Sequence, residues 1–194
     1  MNAAPGCAVA DGPDELRQAF KRLKDSVLPD LRGVLRIEHK PPVYAAAILV
    51  AVGCEALGRL RHTHISKVFV EELVLKRRPD IDERMAVDLF EALRNGLAHI
   101  YDTAYIQAGS SGPRIELIIC WKNHEQLHLR PRRYPPGIYL HLPTMFEDLK
   151  AAFKKHDVAL ADGRWQAQAL PALWKNVISA DDRSIKRWRQ FLAE

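Results

Sequence analysis

The sequence predicts a mainly α-helical bundle with a small antiparallel β-hairpin or sheet inserted between about residues 104 and 141 and further helices after it. Three observations carry that expectation. Apolar residues recur at helical spacing in several separate stretches, one of these is apolar on nearly every face and belongs at the centre, and strand-like residues cluster only after residue 103. At 194 residues, 47% hydrophobic, the chain can bury one substantial core and is short for two. One domain over residues 13–194 is therefore expected, behind a disordered tail at 1–12.

Asp14 is a suitable cap for a first helix whose apolar positions are Leu16, Phe20, Leu23 and Val27, with Pro29 and Gly33 expected to interrupt or kink it. Pro41-Pro42 starts the second, VYAAAILVAVGCEALGRL, the expected central helix. SKVFVEELVL reads as a short helix. Asp80 or Asp82 opens IDERMAVDLFEALRNGLAHIYD, where Ile81, Met85, Leu89, Leu93 and Leu97 form an i+4 ridge widened by Ala86 and Phe90. After Tyr101 the period changes. AYIQ, RIELIICW and QLHLR read as antiparallel strands separated by GSSGP and KNHE. Pro143 starts an amphipathic helix through MFEDLKAAFKKH, and residues 165–178 and 182–192 read as two more.

Composition narrows the functional classes. A formal charge of +5 and a sequence pI near 9.2 favour a polyanionic partner. Cys7, Cys54 and Cys120 are odd in number and form no CxxC pair, which argues against a disulfide framework or a thiolate metal site and for a reducing cytoplasm. The N-terminal residues lack the apolar stretch of a signal peptide. The most apolar run, Val43 to Leu57, contains Glu55 and falls short of the ~20 residues that span a bilayer, so no membrane partner is expected.

The fourth helical stretch ends in Arg94-Asn95-Gly96-Leu97-Ala98-His99. On Arg94, polar Asn95 and His99, placed at a helix end after an earlier apolar helix, the chain resembles the HEPN superfamily of helical-bundle proteins. The specific likeness covers about fifteen residues, LFEALRNGLAHIYDT. The resemblance implies a HEPN-like bundle carrying the β insertion, with Arg94 and His99 as the catalytic pair of a metal-independent endoribonuclease, Asn95 assisting, and no cofactor. It also implies a homodimer that brings two motif copies to one cleft, and a toxin or defence role. Tyr101 extends the motif to R-x4-H-x-Y, which resembles toxins paired with a nucleotidyltransferase antitoxin. There the matching tyrosine accepts AMP. The alternative for Tyr101 is a structural anchor at the helix-to-strand turn, and the strand-bearing segment that follows departs from those compact toxins.

The residue types suit the chemistry independently of the family. Cleaving RNA without metal requires a proton taken from the 2′-hydroxyl, a proton given to the 5′-oxygen, and stabilisation of phosphoryl charge. Histidine titrates near neutrality, and arginine offers a permanent, phosphate-matched fork. Five residues of straight α-helix, however, leave Arg94 and His99 roughly 140° apart and about 7.5 Å along the axis. Either Gly96 loosens the turn, or the arginine reaches around, or the site is composite across a dimer. Glu55, in the central apolar helix, needs a cation. Arg94 or His99 would make it a site residue, and Arg59 or Arg61 a structural one.

Two other features compete. His124-Glu125-Gln126-Leu127-His128 spells the zinc-hydrolase string H-E-x-x-H, with Glu147 a conceivable third ligand, but that chemistry needs a helix and these residues read as a hairpin turn. With Arg130, Arg132 and Arg133 the same stretch forms a basic strip able to hold an RNA backbone, and Arg187 with its basic neighbours and Trp188 forms a second candidate. A non-catalytic module that binds nucleic acid or a nucleotide through these patches is the alternative to the ribonuclease.

Overall fold

Three long helices pack into the core of the computed structural model, which describes residues 13–37, 42–61, 64–96, 105–107 and 114–162. The first, α1 (Pro13–Leu35), buries Leu16, Phe20, Val27, Leu28 and Leu31, a stripe at helical spacing. Of the interruption or kink expected at Pro29 and Gly33, the interruption does not occur, and the helix continues through both residues. Pro29 lies on the exposed face, and the buried residues on either side hold the helix across the missing backbone donor. Asp14 is not the cap but sits in the first turn, 3.1 Å from Arg17 Nη1.

The second helix, α2 (Val43–Leu60), follows Pro42 and packs against α1 and against the last described helix, α4 (Leu142–Ala161). Its 18 residues are long and apolar enough by composition to cross a membrane, yet Ala46, Ala47, Val50, Cys54, Leu57 and Leu60 are spent on the core. Gly53 marks a close crossing, because a Cβ there would lie 2.9 Å from Leu149 and 3.0 Å from Val27. Phe20 and Phe153 stack tilted at 5.8 Å where α1 meets α4.

Two segments wind wider than an α-helix. The first, π1 (Phe69–Leu75), is the expected short helix in a wider winding and buries Phe69, Val70, Leu73 and Val74, together with Glu72, which pairs with Lys155. The third α-helix, α3 (Glu83–Glu91), is capped by Asp82, whose carboxylate accepts from the Arg84 N–H at 2.8 Å. It continues directly into a π turn, π2 (Ala92–Gly96). Ile81, Leu89 and Leu93 of the expected ridge are buried, with Ala86 and Phe90 widening it, while Met85 is 56% exposed and Leu97 lies outside the described residues. Phe90 meets Phe69 at 5.4 Å.

The sheet contains β1 (Tyr105–Gln107), β2 (Arg114–Cys120), β3 (Pro131–Arg132) and β4 (Gly137–His141), in the order β1-β2-β4-β3. It is mixed, not antiparallel throughout. β2 and β4 run parallel, with Glu116 opposite Gly137 and Cys120 opposite His141, and residues 121–136 form the long connection a parallel pair requires. The expected strand QLHLR is a 3-10 turn (Glu125–Leu127) followed by Leu129 at φ 59°, and the partner strand is GIYLH. The alternation of Leu127, His128 and Leu129 imitates a strand. The backbone instead turns twice, and Leu129 is held by its N–H to Tyr139 O at 2.7 Å. The expected helices at 165–178 and 182–192 lie outside the described residues.

Candidate functional site

The sequence motif and the central helix meet at one ion-pair cluster. Glu55 stands on α2 with its side chain 16% exposed, next to the π2 turn, which α2 packs against. Its Oε2 accepts a hydrogen bond from Arg94 Nε at 2.6 Å. Its Oε1 accepts from Arg59 Nε at 3.0 Å and Nη2 at 2.7 Å. Of the four cations the sequence left open, the motif arginine and the arginine one turn along α2 are engaged at once. Burial works to raise the Glu55 pKa, but the hydrogen bonds and charges of Arg59 and Arg94 outweigh it and hold the carboxyl below its ordinary value. Glu55 is therefore ionised at neutral pH.

Arg94 is fixed at its base and open at its side. Leu93, one residue earlier, is fully buried and anchors the turn, while 40% of the Arg94 side chain reaches solvent. Nη1 of Arg94 lies 3.3 Å from Asn95 Oδ1, a long contact that ties the two polar motif residues together. The π turn bears on the spacing problem, since its backbone hydrogen bonds run from i to i+5 and the α-helical rotation does not apply at Arg94. His99 and Tyr101 lie outside the described residues, as does Arg187.

Asn95 also lines an open cleft of about 460 Å3 with Arg84, Asp88, Glu91, Tyr105 and Gln107. The ring of Tyr105 is half exposed and carries the Arg114 guanidinium 5.7 Å from its centre. The strand after the motif thus brings an aromatic ring and several hydrogen-bonding groups beside the motif turn.

The H-E-x-x-H string does not form a helix. His124 is exposed before the single 3-10 turn, and His128 Nδ1 accepts the His141 backbone N–H at 3.1 Å. The two imidazoles therefore do not present a common helical face, and Glu147 is exposed and paired with Lys150 on α4. Among the described residues no group of three or more His, Cys, Asp or Glu side chains is placed to hold a metal ion.

The basic strip divides. Arg132 is committed to Glu116 and to the Pro135 carbonyl, 2.8 Å away. Arg130 and Arg133 are exposed and line a groove with Arg77 and Arg78. Sequence reasoning missed Arg77 and Arg78. The basic triplet Lys76-Arg77-Arg78 was visible, but its approach to a loop some fifty residues away was not.

No family model matches the chain, and neither a curated protein nor a solved structure matches it.

Proposed function

We propose that the chain is a HEPN-like, metal-independent endoribonuclease acting as a homodimer, with a composite site formed by Arg94 and His99 and assisted by Asn95. The observation that carries this reading is the grip of Glu55 on Arg94 Nε. A carboxylate on the central helix fixes the motif arginine at a π turn, a distortion of the helix often found at functional sites. An arginine serving only as a helix-terminal cation needs no such anchor.

In the proposed reaction an imidazole of His99 takes the 2′-hydroxyl proton. The 2′-oxygen attacks phosphorus, the bond to the 5′-oxygen breaks, and a protonated imidazole returns a proton to that oxygen, leaving a 2′,3′-cyclic phosphate and a 5′-hydroxyl. Arg94 stabilises the charge on the phosphoryl oxygens. Toxin or defence activity, an antitoxin or nucleotidyltransferase partner and modification of Tyr101 belong to this reading as consequences of the resemblance. The test is incubation of single-stranded RNA with purified protein in EDTA. Cleavage by the wild type, and loss of it in Arg94→Ala and His99→Ala, supports the proposal, and RNA left intact by the wild type refutes it.

A second reading, a non-catalytic RNA-binding module, is favoured by the groove that Arg77, Arg78, Arg130 and Arg133 line. RNA bound without cleavage would select it.

A further inference from the structure

The groove is built from two distant parts of the chain. Arg77 and Arg78 follow π1. Glu125, Gln126, His128, Arg130, Pro131 and Arg133 come from the connection between β2 and β4, and together they enclose about 620 Å3. Four guanidiniums thus face one carboxylate, Glu125. Two of the arginines are held rigidly. Arg77 makes a forked pair with the buried Asp148, its Nη2 2.7 Å from Oδ1. Arg78 forks onto Asp80 and donates through Nη1 to the Leu129 carbonyl at 2.7 Å, which locks the left-handed turn beside it. The other two, Arg130 and Arg133, are exposed and form no ion pair among the described residues.

A neutral donor accompanies these charges. Because His128 Nδ1 accepts the His141 N–H, the proton of its neutral ring belongs on Nε2, and that atom is buried with no hydrogen-bond partner among the described residues. Burial, with the Arg77 charge adding to it, lowers the His128 pKa to about 4, so the ring is neutral at pH 7. The two guanidiniums on this groove without an ion pair among the described residues, Arg130 and Arg133, suit an oxyanion with more than one acceptor oxygen, as a phosphodiester has.

We infer that this groove is a docking subsite for consecutive phosphates of single-stranded RNA, separate from the Arg94 cluster, an inference that rests on RNA being the substrate. Arg130 and Arg133 contact the phosphates, while Arg77 and Arg78 shape the groove.

The test uses the full chain carrying His99→Ala, so that RNA survives, and follows the anisotropy of a labelled twelve-nucleotide RNA in EDTA across a salt series. Arg130→Glu/Arg133→Glu is compared with Arg32→Glu/Arg36→Glu, an equal charge change on exposed residues at the C-terminal end of α1 and just beyond it, outside the groove. The groove pair is expected to weaken binding about ten-fold or more and to flatten the salt dependence by about 1.4 in log–log slope, as for two lost single-strand phosphate contacts. The α1 pair should change affinity less than about three-fold. Equal losses in the two variants, or none in the groove pair, overturn the inference.

Cleavage with His99 restored separates this from the ribonuclease proposal. A dinucleotide carries only the scissile phosphate, so the groove variant should cut it at the wild-type rate and lose turnover only on the twelve-mer. Groove binding without any cleavage sinks the ribonuclease reading alone, and equal cleavage of the twelve-mer by the groove variant and the wild type sinks the groove alone.

Discussion

Glu55 and Arg94 are joined by a 2.6 Å hydrogen bond across 39 residues of sequence, carboxylate on the central helix and guanidinium on the π turn. The same carboxylate holds Arg59, so its charge organises two cations. Replacing it with glutamine keeps the shape and removes the charge. Glu55→Gln is expected to cost about 1 kcal/mol of stability, a value kept low because Arg94 is partly exposed and screened. RNA cleavage should fall about ten-fold or more through misplacement of Arg94. The folded-state pKa of Glu55 lies below 4.5, so the stability its charge contributes is fully present above that value and disappears as pH falls through the lowered one. Urea titrations of wild type and variant should therefore converge in acid.

Two histidines, His156 buried and His128 half-buried, give the fold a different pH dependence. Burial, reinforced by Arg77 and His141, lowers His128 to about 4, and burial with Arg61 lowers His156 to about 4, both from 6.5. Between these values the unfolded chain takes up protons that the folded chain refuses. Stability is full above pH 6.5 and falls as pH drops to about 4, by up to roughly 3 kcal/mol for each group. His128→Gln or His156→Gln should each remove its own share of this slope, read from denaturation midpoints at pH 4.5, 5.5 and 7. A slope unchanged in both variants would show that neither histidine causes it.

The parallel pairing of β2 with β4 depends on a glycine. A Cβ at Gly137 would lie 2.9 Å from both the Glu116 carbonyl oxygen and Ile118 Cδ1, and a backbone oxygen cannot rotate away. Gly137→Ala is expected to destabilise the fold by about 2 kcal/mol. Loss should appear in hydrogen exchange first at the β2 amides, beside β4.

Helix positions were largely legible in the sequence because caps and stripes are local. Asp82 caps α3, Pro42 precedes α2, and Leu16, Phe20 and Val27 of α1 are buried, with Leu23 partly so. Sheet topology was not, because pairing is set by distant contacts. Nothing in LHLR announces that Leu129 takes a left-handed backbone or that GIYLH runs parallel to RIELIIC. Met85 is the one described member of the expected α3 ridge that stands outside the core, its place taken by Ala86. At the candidate site, a carboxylate in an apolar helix signalled that a cation must approach, but not that two would share it. The arginine groove was half visible, since Arg130 and Arg133 were evident as a strip and Arg77 and Arg78 join them only through the fold.

The composite-site claim is tested most directly by mixing two inactive proteins. Arg94→Ala and His99→Ala are prepared separately, each checked for wild-type helicity, then combined, dissociated and re-paired before exposure to single-stranded RNA in EDTA. Random pairing makes half the dimers mixed, and each mixed dimer regains one intact Arg94–His99 pair of two, so about a quarter of wild-type cleavage is predicted. A mixture as inactive as its components, or either single variant cleaving like the wild type, would contradict it.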